Sequence, residues 1–186
     1  MAVLLATTQN RPAYEQICHR ILITFTNIEN PYVAERLAED CLLLPNSGAD
    51  LQSVDKLADT AVTAGTNDPA LAYFLGCKAM SDYRQGRFAE AIDWAGRAAG
   101  NPLGDAEAKA KACAILAMAD WQIGKKDAAQ AMLTRGNQLA PGNLHGNGNI
   151  SPGESWVAWL IARISLDEAT ELIRRSSTSN GRPNRP

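Results

Sequence analysis

Tyr83-Arg84-Gln85-Gly86-Arg87-Phe88-Ala89-Glu90-Ala91 returns 38 residues later as Trp121-Gln122-Ile123-Gly124-Lys125-Lys126-Asp127-Ala128-Ala129. Both stretches read aromatic-x-x-Gly-basic, with an alanine four residues after the basic position. The glycine suits a helix end, where a left-handed backbone is cheap only without a Cβ. Proline follows each second helix, at Pro102 and Pro141. A helix–turn–helix unit that recurs at a fixed spacing predicts a stacked helical array, because one hairpin cannot bury its own apolar stripe.

Working outward, helix-start signals divide the rest of the chain. Asn30-Pro31, Asp68-Pro69 and Ser151-Pro152 each set a capping side chain before a proline suited to the first helical position. Ser151 to Glu154 has capping-box spacing, and Asp50 and Asp105 are further N-cap candidates. Gly65 and Gly100 join Gly86 and Gly124 as helix ends. The pattern predicts helices over 12–25, 31–44, 50–64, 69–85, 88–99, 105–123, 126–140 and 152–174, and no segment alternates long enough for a strand. The units fall at about 31–64, 69–102 and 105–141. The helix over 152–174 follows as a cap, preceded by a Gly- and Asn-rich link around Leu144 to Ile150. Residues 1–11 are expected to be a flexible N-terminus. Residues 175–186, polar and basic, are expected to form a disordered tail.

Composition narrows the function. The chain has 186 residues, 46% apolar and only 6% aromatic, with alanine dominant, which favours closely packed helices. A net charge of −2 supplies no basic field for nucleic acid. Four arginines, Arg174, Arg175, Arg182 and Arg185, sit in the last thirteen positions, where a frayed end is expected over a basic anchor. No apolar run approaches the ~20 residues of a bilayer span, and Met1 to Ala6 lacks the charged and long apolar parts of a signal peptide. Cys18, Cys41, Cys77 and Cys113 form no CxxC pair and are expected as reduced, buried thiols of a cytoplasmic protein.

The hairpin spacing resembles the tetratricopeptide repeat, whose period is 34 residues. Leu75, Ala79, Ala91, Ala98 and Pro102 carry the likeness in one unit, and Cys113, Leu116, Ala117, Ala129, Leu133 and Pro141 in the next. A degenerate first unit aligns Leu37-Ala38 with Leu116-Ala117, with Pro45 in place of the turn glycine. Lys78, Asp82 and Asp120 depart from the pattern. Glu29 to Arg36, Cys41 to Leu51, Leu57 to Val62, Tyr83 to Phe88 and Trp156 to Arg163 are similar to the C-terminal repeat region of planctomycete-type bacterial serine/threonine protein kinases. The likeness spans about residues 13–173. It implies an all-α, right-handed superhelical stack of hairpins that binds protein segments, either an excised kinase region or a separate protein. The kinase Gly-rich loop, β3 lysine, HRD and DFG motifs do not occur, so kinase activity is not implied.

The resemblance also implies a concave face lined by the first helix of each pair. Its positions here are Tyr32, Glu35, Glu39 and Leu42; then Tyr73, Gly76, Met80, Tyr83 and Arg84; then Lys111, Ala114, Met118, Trp121 and Gln122. Tyr73, Met80, Tyr83, Arg84, Lys111, Met118, Trp121 and Gln122 are the expected contacts to a partner, since aromatic, methionine and arginine side chains make good anchors. The bland alternative packs Met80, Met118 and Trp121 between helices. Gly76 and Ala114 stand where a carboxylate clamp would need polar groups, so a chaperone-tail clamp is not expected.

No catalytic residue, cofactor or metal site is expected. His19 and His145 lie far apart in sequence, without zinc-ligand spacing. Glu39-Asp40 and Asp167-Glu168 are adjacent on helices and point about 100° apart, so they read as solvated charges. Trp156, Trp159, Leu160, Ile164, Leu172 and Ile173 form the expected apolar side of the last helix, as a cap or as a partner-docking face. Two further readings stay open: a structural homo-oligomer joined through repeat edges, and an enzyme with an unfamiliar helical active site.

Overall fold

The computed structural model describes residues 1–140 and 155–179. Among these residues the chain is all-α, with no strand. The helices run in the order α1 (Ala2–Thr7), α2 (Arg11–Thr24), α3 (Pro31–Leu42), α4 (Leu51–Ala61), α5 (Leu71–Arg84), α6 (Phe88–Gly100), α7 (Ala106–Gln122), α8 (Lys126–Leu139) and α9 (Ser155–Ser179).

Local chemistry sets most boundaries. Asn30 Oδ1 accepts from the backbone N–H groups of Tyr32 and Val33, with Pro31 opening α3. The Asp50 carboxylate does the same for Gln52 and Ser53 at α4. Gly86 (φ 76°) and Gly124 (φ 83°) are both left-handed. After each, Arg87 N–H reaches Asp82 O at 2.9 Å and Lys125 N–H reaches Asp120 O at 2.8 Å. The glycine N–H groups bond to Tyr83 O and Trp121 O. These are paired Schellman closures, so the repeated sequence is a repeated turn. Between α3 and α4, where Pro45 replaces the glycine, Asn46 (φ 55°) and Gly48 (φ 71°) supply the left-handed positions instead.

Consecutive helices pack as pairs, α3 on α4, α5 on α6 and α7 on α8. The pairs join through α4 on α5 and α6 on α7, while α3, α5 and α7 also meet side by side. Ala79, Ala91, Ala117 and Ala129 have no exposed surface, which allows close helix approach. Burial on α7 runs without a break from Ala110 to Asp120. All four cysteines are buried and free.

Several expectations are corrected. Residues 2–7 are helical, because Ala2, Val3 and Ala6 bury against α2, α9 and α3. Asp68-Pro69 does not open α5, which begins at Leu71. Asp68 Oδ1 instead accepts from Ala70 N–H at 2.8 Å and from Tyr32 Oη, closing the preceding turn. Asp105 stands at the α7 N-cap without a capping bond, because its carboxylate accepts from Tyr73 Oη at 3.1 Å. α9 continues past 174 to Ser179. Its buried line is Ile161, Ala162, Ser165, Leu166, Ala169 and Ile173, while Trp156 is exposed. The link around Leu144 to Ile150, the Ser151-Pro152 start and the tail residues Arg182 and Arg185 lie outside the described residues.

The departures at Lys78 and Asp82 have a structural reason. Lys78 Nζ, nearly buried, lies 2.8 Å from Asp55, 2.7 Å from Asp59 and 3.3 Å from Asp82. Arg87 pairs with the same Asp55 and Asp82. Burial works against the Asp55 carboxylate, but hydrogen bonds from Lys78, Ser81 and Arg87 outweigh it and hold its pKa below the ordinary value. The network ties α4 to α5 and to the turn that follows.

Candidate functional site

The first turns of α3, α5 and α7 lie at one end of the array, with the first turns of α9 opposite them. Between them opens a groove of about 1010 Å³. Tyr32, Val33, Glu35, Arg36 and Glu39 come from α3, and Tyr73 and Phe74 from α5. Asp105, Glu107 and Lys111 come from α7 and its cap. Trp156, Val157 and Ile161 come from α9, and Phe25 from the end of α2. Helical spacing of three and four residues is what brings Tyr32, Glu35 and Glu39 to one face.

Aromatic side chains shape the mouth. Tyr32 packs edge-on against Phe74 with ring centroids 5.1 Å apart. Its hydroxyl donates to Asp68 at 2.8 Å, so the ring is held in place. Tyr73 is held the same way by Asp105. Among the described residues, nine large apolar side chains are exposed, and four of them, Phe25, Tyr32, Val33 and Trp156, converge on this groove.

Charge sits at the floor. Lys111 Nζ pairs with Glu39 Oε2, both buried, above Gly76, where a Cβ would lie 3.9 Å from the ammonium. Burial disfavours the Lys111 charge, but Glu39, Cys77 and Glu35 outweigh that cost and its pKa is raised. Glu35 is 7% exposed. Burial first, then Glu39, pushes its carboxyl up to about 7 against the pull of Lys111. Cys77 donates to Glu35 O at 3.7 Å, and burial raises its thiol well above the ordinary value. A high thiol pKa makes a poor nucleophile.

A second cavity of about 610 Å³ lies at the other end of the same helices, lined by Leu42, Tyr83, Arg84, Phe88, Gln122 and Glu168 among others. Here Arg84 donates to Leu42 O at 3.1 Å and forms a bidentate pair with Glu168 of α9. Tyr83 packs on Phe88 with centroids 5.7 Å apart.

The eight expected contact residues therefore divide. Tyr73 and Lys111 line the larger groove, and Tyr83, Arg84 and Gln122 line the smaller cavity. Met80 and Met118 are 2% and 0% exposed and belong to the core, because neighbouring helices close over them. Trp121 is half-buried, with Lys126 Nζ 5.4 Å from its ring centroid, and lines neither. Glu39 and Glu168 are not solvated charges, since each pairs with a cation on another helix. Sequence reasoning missed Phe25, Val33, Trp156 and the Asp105 and Glu107 pair as groove residues. Asp105 was visible only as a helix start, and Trp156 as part of the last helix's apolar side, read as a cap or a partner-docking face.

Among the described residues no helix is long and apolar enough to cross a membrane, and no group of three His, Cys, Asp or Glu side chains converges as a metal site. No family model, curated protein or solved structure matches the chain.

Proposed function

We propose that this chain is a non-catalytic protein-interaction module that holds an extended segment of a partner in the groove over α3, α5 and α7. In this reading the pairs α3–α4, α5–α6 and α7–α8 form a right-handed superhelical stack of tetratricopeptide-like hairpins, and α9 is the closing helix. The consecutive pairing and the two matched glycine turns support the stack. The observation that carries the function is the convergence of Phe25, Tyr32, Val33 and Trp156. Exposed apolar side chains gathered at one rimmed concavity mark an interaction site, whereas scattered ones need no explanation. The likeness of Glu29–Arg36 and Cys41–Leu51 to kinase-linked repeat regions supports a scaffolding role beside a bacterial serine/threonine kinase, in the same chain or a separate one.

A photoreactive phenylalanine analogue at Tyr73, compared in cells with the same analogue at the exposed Asp93 on α6, tests the proposal. A polypeptide joined through Tyr73 and not through Asp93 supports it. Joining through Asp93 alone, or through neither, overturns it. Joining only to a second copy of the chain replaces it with the homo-oligomer reading.

A further inference from the structure

Glu35 is the one acid of the groove floor with nothing to hold. Its side chain is almost buried, yet only burial and unbonded charges act on its carboxylate, and among the described residues no ion pair to it is seen. The nearest cation, Lys111, is committed to Glu39. A carboxylate on an otherwise buried side chain, with no protein donor, is free to take an incoming one. The buried side-chain atoms of the described residues all have partners, so the Glu35 oxygens must reach the open side, which is the groove.

The surroundings specify the sign of that partner. Four carboxylates, Glu35, Glu39, Asp105 and Glu107, line the groove against two cations, Arg36 and Lys111. On α3, Arg36, Glu39 and Asp40 act on Glu35, and on α7 Lys111 does. On α5, Tyr73 and Cys77 lie beside the floor with their acidic protons raised out of reach by burial, so neither adds charge at neutral pH. The α9 wall, Trp156 to Ile161, contains no titratable side chain. Tyr32, Tyr73 and Trp156 add aromatic rings to the lining, and ring faces attract cations.

Building on the peptide-binding reading above, we infer that the groove's occupant is a basic peptide segment, one lysine or arginine of which pairs with Glu35 between the rings of Tyr32 and Tyr73. An acidic segment would meet four carboxylates against two cations and is disfavoured by like charge. A neutral apolar segment would leave Glu35 buried and unpaired. The cation both completes the floor and holds Glu35 ionised, so binding releases a proton whenever Glu35 starts protonated.

The test uses the full chain and four pooled heptapeptide libraries, identical except for a fixed central lysine, arginine, norleucine or glutamate. Binding is titrated at pH 6 and pH 8. With its carboxyl at about 7, Glu35 is ionised in roughly a tenth of molecules at pH 6 and nine-tenths at pH 8. The lysine and arginine pools should therefore bind about tenfold more tightly at pH 8 than at pH 6, while the norleucine pool does not follow. Glu35→Gln should bring the lysine and norleucine pools level and remove the pH step. If lysine, arginine and norleucine pools bind alike in the parent chain, the inference is wrong and the groove reading survives. If no pool binds, the groove reading itself fails. The pH comparison needs no variant, so a poorly folding Glu35→Gln chain does not blunt the test.

Discussion

Two glycines in helical interiors should respond to the same substitution with opposite signs. Gly96 lies within α6, and a Cβ built there meets nothing within 4 Å. Alanine narrows the unfolded ensemble and improves helix propensity, so Gly96→Ala should stabilise by about 0.5–1 kcal/mol. Gly136 lies buried within α8. A Cβ there would stand 2.7 Å from Leu166 Cδ2, 3.2 Å from Cys113 Cβ and 3.3 Å from Ala110 O. The Leu166 methyl is the end of a flexible side chain, but Leu166 is 0% exposed and has little room to turn. Cys113 Cβ and Ala110 O belong to α7 and move only with it. Overpacking of this kind costs about 1–3 kcal/mol, which exceeds the propensity gain. Gly136→Ala should therefore destabilise by about 1–2 kcal/mol net. For a chain of this size each kcal/mol moves the melting point by about 2–4 °C. Thermal denaturation followed by circular dichroism should show Gly96→Ala rising and Gly136→Ala falling. Adding Leu166→Ala to Gly136→Ala should cost less than the two single losses together, because the closest contact is then gone. If Gly136→Ala stabilises as Gly96→Ala does, α8 does not lie against α7 and α9 as described, and the closing arrangement of α9 fails with it.

Lys78→Met should destabilise by about 1–3 kcal/mol in urea denaturation, since Asp55 and Asp82 lose one of their shared cations while Arg87 remains. Glu35→Gln should raise the melting point at pH 8. The folded carboxyl titrates at about 7, above its ordinary 4.5, so stability held at low pH is lost as pH climbs through 7. The uncharged variant escapes that loss, on the order of 3 kcal/mol at most, and its advantage should close as pH falls toward 4.5. Arg84→Ala should speed amide hydrogen exchange in α9 more than in α6, because the Arg84–Glu168 pair joins α5 to α9.

The repeat was legible because it is a local device. Gly86 and Gly124 close their turns with bonds confined to six residues, so their spacing on the chain is already their geometry. Asn30 and Asp50 were legible for the same reason. The ends of the chain were not. Ala2, Val3 and Ala6 look like a loose apolar start until α9, more than 150 residues away in sequence, supplies a surface for them. The site divides along the same line. Tyr73 and Lys111 were expected from the resemblance to the tetratricopeptide repeat, whereas Trp156 reaches the groove only through the placement of α9. Met80 and Met118 show the limit of a position rule. A first-helix face lines a trough only where nothing covers it, and both side chains are covered.

That covering explains the composition of α7 and, through it, the shape of the groove. A helix open on one side carries an apolar stripe and a polar back. α7 carries alanine, cysteine, isoleucine, leucine and methionine all round, because α5, α6, α8 and α9 each take a side of it. Glu107, Lys109 and Lys111 interrupt it in the first turns, and Lys111 is paired across to Glu39 rather than released to solvent. α9 thus packs along α7, with the groove beside Trp156 and the cavity beside Glu168 opening next to it. The far wall of the groove is therefore supplied by α9 and not by the hairpins themselves. It is formed by α9, whose Ile161, Ala162, Leu166 and Ala169 are buried and whose Glu168 pairs with Arg84 of α5, so the seat of α9 against α7 sets how wide the groove stands over the acidic floor.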